Sequence, residues 1–291
     1  MSNLPRREKE KITMEKEIYN GKLKIKLVES GDFHSYYISE RKGKEWGPWI
    51  RKTGSTTIGG IKDKSGPLKY WVAKIMARFL HAILNERTLT RYDIDEARGL
   101  HAKRLKEAGD LGGKIHDWIK EYVAGRKPEI PAEEAVLRGV NAFLEWEKET
   151  KVKFIASEEP IFSKEYDYCG KLDAIGKING KLYLIDYKTG TGLYNDVMMQ
   201  TASYVEAWEE MGGEKIAGRW AVRIEKRNED EFKADMEEKD KVNEKYIPFE
   251  TIYLDDNKEN RILDFAAFLN AKKLRDWDIE SSKRLIEYKT K

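Results

Sequence analysis

The sequence predicts an α/β (α+β) fold in which a mixed central sheet is flanked by helices, with a small β unit ahead of it. Three observations predict it. Apolar residues recur with a helical period from Pro67 to Thr150, and the period switches to two between Val152 and Lys188. A further helical stretch and one more β-like stretch follow, so the sheet is not a simple meander. With 291 residues, 40% apolar and 37% charged, the chain has enough apolar surface for a real core.

Composition excludes several classes. No run of about 18 uncharged apolar residues is present, which rules out a membrane span. Met1–Lys16 is charged throughout with no apolar stretch, which rules out a secretory signal and points to the cytoplasm. The single cysteine, Cys169, excludes an internal disulfide and a four-cysteine cluster within one chain. With 55 Lys+Arg and 52 Asp+Glu the net charge is +3, which neither demands nor forbids a nucleic-acid partner. Gln200 is the only glutamine. With abundant Lys and Glu, that is the bias of proteins from hot environments, and the seven methionines weigh against it.

Residues 1–21 read as a charged arm. Residues 22–64 read as the small β unit: Leu23, Ile25 and Leu27 alternate with lysines, and shorter β-like pieces follow at Ser35–Ile38 and Trp46–Ile50. Residues 65–291 form the main domain. Pro67 opens a helix whose Leu68, Val72, Ile75, Met76, Phe79 and Ile83 predict a core-facing stripe. A second helix is expected over Asp93–Ala108 and a third after Gly112–Gly113, ending at Gly125 and Pro128; a fourth spans Pro131–Thr150. Strands are expected at Val152–Ser157, Ile161–Tyr168, Lys171–Ile178 and Lys181–Lys188. Asn195 is placed to cap a helix reaching Met211, a strand follows at Ala217–Ile224, and residues 227–245 read as an exposed hairpin or loop. A last helix, Asn257–Leu274, is expected to bury Ile262, Leu263, Phe265, Ala266 and Leu269.

The chemistry concentrates in one hairpin. Asn179–Gly180 between two β-like runs is a strong two-residue turn signal. Such a turn pairs Ile178 with Lys181, and the same register sets Asp173 opposite Asp186 on one face. Opposed residues have Cβ atoms about 5 Å apart, so two carboxylates there repel unless something neutralises them. A divalent cation with oxygen ligands, Mg²⁺ or Mn²⁺, is the natural solution. Lys188 lies two residues on and points to the same side, where it can orient or deprotonate a water or stabilise negative charge.

The segment Tyr168–Lys188 resembles the core motif of the PD-(D/E)XK nuclease superfamily, with Asp173 as first acid and Asp186–Tyr187–Lys188 as the D-x-K. It is most similar to the RecB-type exonuclease branch, in a phage-type form. Gln200–Thr201–Ala202–Ser203–Tyr204 matches that branch's Q-x-x-x-Y helix, and Gly112–Gly113–Lys114–Ile115–His116 its upstream histidine. Ser157–Glu158 matches its glutamate, with Glu159 as fallback. The resemblance covers about 95–210 well and extends more weakly to the C-terminus; it implies a restriction-endonuclease-like fold with a catalytic core over about 95–226. It implies that His116, Asp173, Asp186 and the Tyr187 carbonyl hold Mg²⁺ or Mn²⁺, with Glu158 assisting. Lys188 would act on the attacking water, and Gln200 and Tyr204 would orient the site or the bound DNA. The reaction implied is exonucleolytic hydrolysis of DNA by metal-activated water, in recombination, repair or phage DNA processing. An endonuclease using the same site, or a non-catalytic DNA-binding module, are the alternatives. Relatives that carry an iron–sulfur cluster need four cysteines, so no cluster is expected here. No G-x-x-x-x-G-K-[ST] loop is present, so a helicase or recombination protein would be a separate partner.

His34, His81 and His101 have no comparable context and read as structural or surface residues. Cys169 reads as a small buried residue. Trp46, Trp49 and Trp71 read as core packing rather than base-stacking groups, and Arg6, Arg7, Lys9 and Lys11 as a solvated tail.

Overall fold

The computed structural model describes residues 11–30, 33–235, 245–255 and 257–290. Five short strands make the first sheet: β1 (Lys11–Ile18), β2 (Leu23–Ser30), β3 (Phe33–Lys42), β4 (Glu45–Trp46) and β5 (Ile50–Lys52), with β2 between β1 and β3, and β4 and β5 both on β3. Alternation sorts its two faces as the sequence predicts. Leu23, Ile25, Leu27, Tyr36 and Ile38 pack inward on Phe162 and Cys169, while Lys24 and Lys26 point away. β1 occupies much of the span assigned to a charged arm. Its period was obscured because an inward position, between Met14 and Ile18, is Lys16, whose ammonium pairs with Glu159. Of the basic residues assigned to the tail, Arg6, Arg7 and Lys9 lie outside the described residues. The piece expected as one strand at Trp46–Ile50 splits into β4 and β5 around Gly47 and Pro48.

Four helices follow: α1 (Ser55–Gly59), α2 (Ser65–Leu84), α3 (Arg91–Val123) and α4 (Glu134–Thr150). The expected break between two helices near Gly112 does not occur, and α3 runs unbroken for 33 residues. It starts on a capping box in which Thr90 Oγ1 accepts from the Asp93 N–H and the Asp93 carboxylate accepts from the Thr90 N–H. Gly112 marks a close approach rather than a stop: a Cβ there would lie 2.6 Å from Thr189 Oγ1. α2 departs from its expected burial. Only Ile75 is buried, and Leu68 and Leu84 are exposed, because its main neighbour is α3 and most of its apolar stripe is left uncovered.

The second sheet comprises β6 (Lys153–Ser163), β7 (Tyr168–Ile178), β8 (Lys181–Lys188), β9 (Gly218–Ile224) and β10 (Phe249–Tyr253), in the order β10-β9-β8-β7-β6. All pairs are antiparallel except β8–β9, which is parallel and joined through α5 (Asp196–Glu210), so the sheet is mixed as expected. Ile115, Ile119, Val140, Phe143 and Trp146 of α3 and α4 cover one face. Tyr204 and Val205 of α5 and Phe268 of α7 (Lys258–Thr290) cover the other. The two strands expected at Val152–Ser157 and Ile161–Tyr168 are one, β6, with a register shift between Phe154 and Ala156. Asn195 precedes α5 without a side-chain cap, because its carboxamide oxygen takes the Lys62 ammonium instead. α6 (Glu229–Asp235) forms within the stretch expected to be a loop, whose residues 236–244 lie outside the described residues. α7 runs well past its expected end, and Ile262 and Leu263 are 69% and 65% exposed; Phe268 fills the core place assigned to them. No described helix is long and apolar enough to cross a membrane.

Candidate active site

The site forms where β7 and β8 part. Asn179 and Gly180 both take positive φ, 51° and 77°, and make the two-residue turn. The ladder then runs from Ile178↔Lys181 to Ala174↔Ile185, the register read from the sequence. One residue further the pairing ends. There Asp173 Oδ2, rather than a strand carbonyl, accepts the Tyr187 N–H at 2.8 Å. β8 continues beside β9 alone, pairing Asp186 with Ala221 and Lys188 with Arg223.

Asp186 is 0% exposed, and neither carboxylate oxygen has a hydrogen bond among the described residues. Its counter-charge is the Lys188 ammonium, 2.6 Å from Oδ2. Asp173 titrates high, at about 6, because burial and then the Asp186 charge oppose its ionisation more than His116 and Lys188 favour it. Glu158 is 6% exposed and sits in the left-handed region at φ 54°. Its Oε1 lies 3.7 Å from His116 Nδ1. Burial pushes Glu158 up, but its pairing with His116 and the Lys171 charge outweigh it and hold the carboxyl at about 2. His116 lies above its ordinary value: burial lowers it, and the Asp173 and Glu158 charges more than compensate. His116 reaches the site because Gly112, one turn earlier, lets α3 close on Thr189.

One ligand atom each from His116, Glu158 and Asp173 lies within 4.8 Å of the others. This differs from the ligand set implied by the resemblance, which names Asp186 and the Tyr187 carbonyl. Glu158 stands in the cluster, and Asp186 faces Lys188. The Tyr187 ring lies in an aromatic cluster with Phe143 and Trp146 and packs edge-on against His116, so its backbone is what it offers a cation. The group fits a hard divalent cation: one imidazole, buried carboxylates repelling each other, and two Asp186 oxygens without hydrogen bonds.

Beyond the acids, Lys188 Nζ is 3.3 Å from Gln200 Oε1, and Gln200 Nε2 donates to Tyr204 Oη at 2.7 Å. Gly170 makes room for Tyr204, since a Cβ there would lie 2.7 Å from the ring. Two residues escaped the sequence reading. Lys171, 17% exposed at its side chain, pairs with Glu158 and lies 3.2 Å from Glu29 of the first sheet, so it holds Glu158 in place. Two residues from Asp173 on one strand, it shares that face, which was the available signal. Glu29 gave no signal. Glu159, the fallback, pairs with Lys16 instead.

A carboxyl raised above its unfolded value stabilises the fold only while protonated. Asp173's contribution is complete below about pH 4 and lost as pH rises through about 6. Without divalent ions the protein is therefore expected to lose stability over that window. At pH 7 a cation at a hundred times its Kd should add about 2.7 kcal/mol, a rise of roughly 5–10 °C in Tm. The cation's affinity should fall about tenfold per pH unit below 6, as protons compete for Asp173. Thermal scans with and without Mn²⁺ across pH 5–8 check this; a rise independent of pH would contradict it.

Residues 74–280 match the family profile of the PD-(D/E)XK nuclease superfamily. No curated protein matches the chain. Among solved structures, an alkaline exonuclease from Laribacter hongkongensis superposes with a TM-score of 0.32 at 10% identity, over 80% of this chain and 94% of that one.

Proposed function

The chain belongs to the PD-(D/E)XK nuclease superfamily, and on that premise we propose that it is a Mg²⁺- or Mn²⁺-dependent deoxyribonuclease that shortens linear DNA from an end. The observation that carries this reading is the pair Asp173 and Asp186 at the parting of β7 and β8, with Lys188 against Asp186. His116, Glu158 and Asp173 would hold the cation, and Asp186 would join them on release from Lys188. A bound cation supplies a more acidic water and a Lewis acid for the phosphate.

Lys188 lies above the ordinary lysine range: burial lowers it, but Asp186 and Asp173 outweigh burial. The side chain is therefore held protonated while both acids face it. With the acids on a cation that support is withdrawn, and Lys188 would act on the attacking water or neutralise charge growing on a phosphate oxygen. Gln200 accepts from Lys188 and donates to Tyr204, and so fixes where that charge sits. The exonuclease mode rests on the likeness of the α5 Q-x-x-x-Y pattern to the RecB-type branch. Recombination, repair or phage DNA processing is the setting such an activity serves, with any helicase supplied by a separate protein.

End-labelled linear DNA and closed circular DNA, each with Mn²⁺ or with EDTA, test the reading. Linear DNA should disappear with the cation only, and circles should survive. Opened circles would make the enzyme an endonuclease. Binding without cleavage of either substrate would make the fold a DNA-binding module.

A further inference from the structure

The outer face of the first sheet carries a feature the site does not use. Lys22, Lys24 and Lys26 fall on one side of β2 and the turn before it, at alternate positions. At about 3.4 Å per residue their stems stand about 7 Å apart. Two of the three are held over aromatic rings. Lys24 Nζ sits 4.6 Å from the Trp46 ring centroid, which Arg41 Cζ also approaches at 5.6 Å. Lys26 Nζ sits 4.4 Å from the Trp49 ring and 5.1 Å from Tyr37. These tryptophans therefore do not fill the inner core. They lie half-buried on the outer face, next to exposed Arg41. Glu15 and Glu17 border the row on the β1 side, opposite Lys26 and Lys24, and Glu15 lies 3.6 Å from Lys24 Nζ.

We propose that this face binds a nucleic-acid strand outside the acid cluster, with its backbone along Lys22, Lys24, Lys26 and Arg41 and its bases against Trp46 and Trp49. The spacing of the row suits successive phosphates of an extended strand. Cation–π contacts keep the ammonium groups gathered beside the rings before a ligand arrives. When the lysines move to phosphates, the rings they covered offer stacking surfaces that accept any base. Glu15 and Glu17 repel a polyanion laid over β1, so the path is confined to β2, β3 and β4. An acidic peptide would use the cations but leave the rings idle, which favours nucleic acid. The inference extends the nuclease reading without needing hydrolysis.

The test is anisotropy of a labelled 30-residue oligo(dT) in EDTA, where no cleavage can occur. Lys24→Ala/Lys26→Ala should weaken binding tenfold or more. It should also flatten the slope of log K against log salt by about 1.4, at about 0.7 per lost phosphate contact on a single strand. Trp49→Ala should weaken binding at least fivefold, and Lys24→Arg/Lys26→Arg should restore both affinity and slope. Unchanged affinity and slope in the double alanine variant, with unchanged Tm, would overturn the proposal. So would displacement of the oligonucleotide by polyglutamate at equal charge concentration, which would assign the face to an acidic protein. Failure of the nuclease reading alone would leave these binding results standing.

Discussion

Asp186→Asn is expected to cost at least about 10³-fold in DNA hydrolysis while leaving the cation-free protein as stable as before or more stable. The two effects have one cause. Asp186 is wholly buried, its oxygens make no hydrogen bond among the described residues, and its charge helps hold Asp173 at about 6. Asparagine keeps the shape and removes one of two like charges, so the fold loses a repulsion, while Asp173 remains as counter-charge to the partly exposed Lys188. The site loses a ligand and the counter-charge that keeps Lys188 in place. Activity on linear DNA and Tm in EDTA, measured on the same preparation, check both halves. Activity within tenfold of the unaltered protein would displace the chemistry from this site. A Tm lower by more than about 5 °C would make the carboxylate a structural group.

Arg219→Met is the opposite case, a large loss of stability away from the chemistry. Arg219 is 0% exposed in the middle of the layers. Its NH2 group reaches Asp255 at 2.6 Å and Asp264 at 2.7 Å, and its NH1 group reaches the Met198 carbonyl at 2.8 Å, so it ties β9 to both α5 and α7. Removing the cation strands the Asp255 carboxylate, which is 6% exposed. Breaking such a buried network costs about 3–5 kcal/mol, or roughly 10 °C in Tm for a chain of this size. Replacing Arg219, Asp255 and Asp264 together with apolar residues should recover much of the loss, because no charge is then left unpaired. A single Arg219→Met variant that melts within about 2 °C of the unaltered protein would show that the network contributes little.

The β7–β8 register was legible in the sequence because it follows from a two-residue turn and a period of two, both local. The Gln200–Tyr204 pairing was legible because a four-residue spacing closes on itself in any helix. Long-range pairs were not. A lysine inside a strand reads as a wet residue, yet Lys171 bridges two carboxylates from different sheets, and Lys16 hides the alternation of β1. Arg219 reads as exposed for the same reason. Gly112 reads as a break ahead of a new helix, because sequence cannot distinguish a glycine that interrupts a helix from one that lets a neighbour approach. The stripe of α2 shows the reverse limit: periodicity states which face is apolar, not whether anything covers it.

Asp173 and Asp186 look equivalent in sequence, but they answer to different constraints. Asp173 completes the strand pairing by taking the Tyr187 N–H, so it serves architecture as well as chemistry. Asp186 takes no backbone N–H; its charge repels Asp173 and is balanced only by the Lys188 ammonium, which is itself 31% exposed and can turn to water. A descendant of this protein released from selection for turnover would therefore lose less of its architecture by shedding Asp186 than by losing Asp173. In such a lineage the order of decay is written into the strands: the second acid goes first, and the first acid outlives the activity.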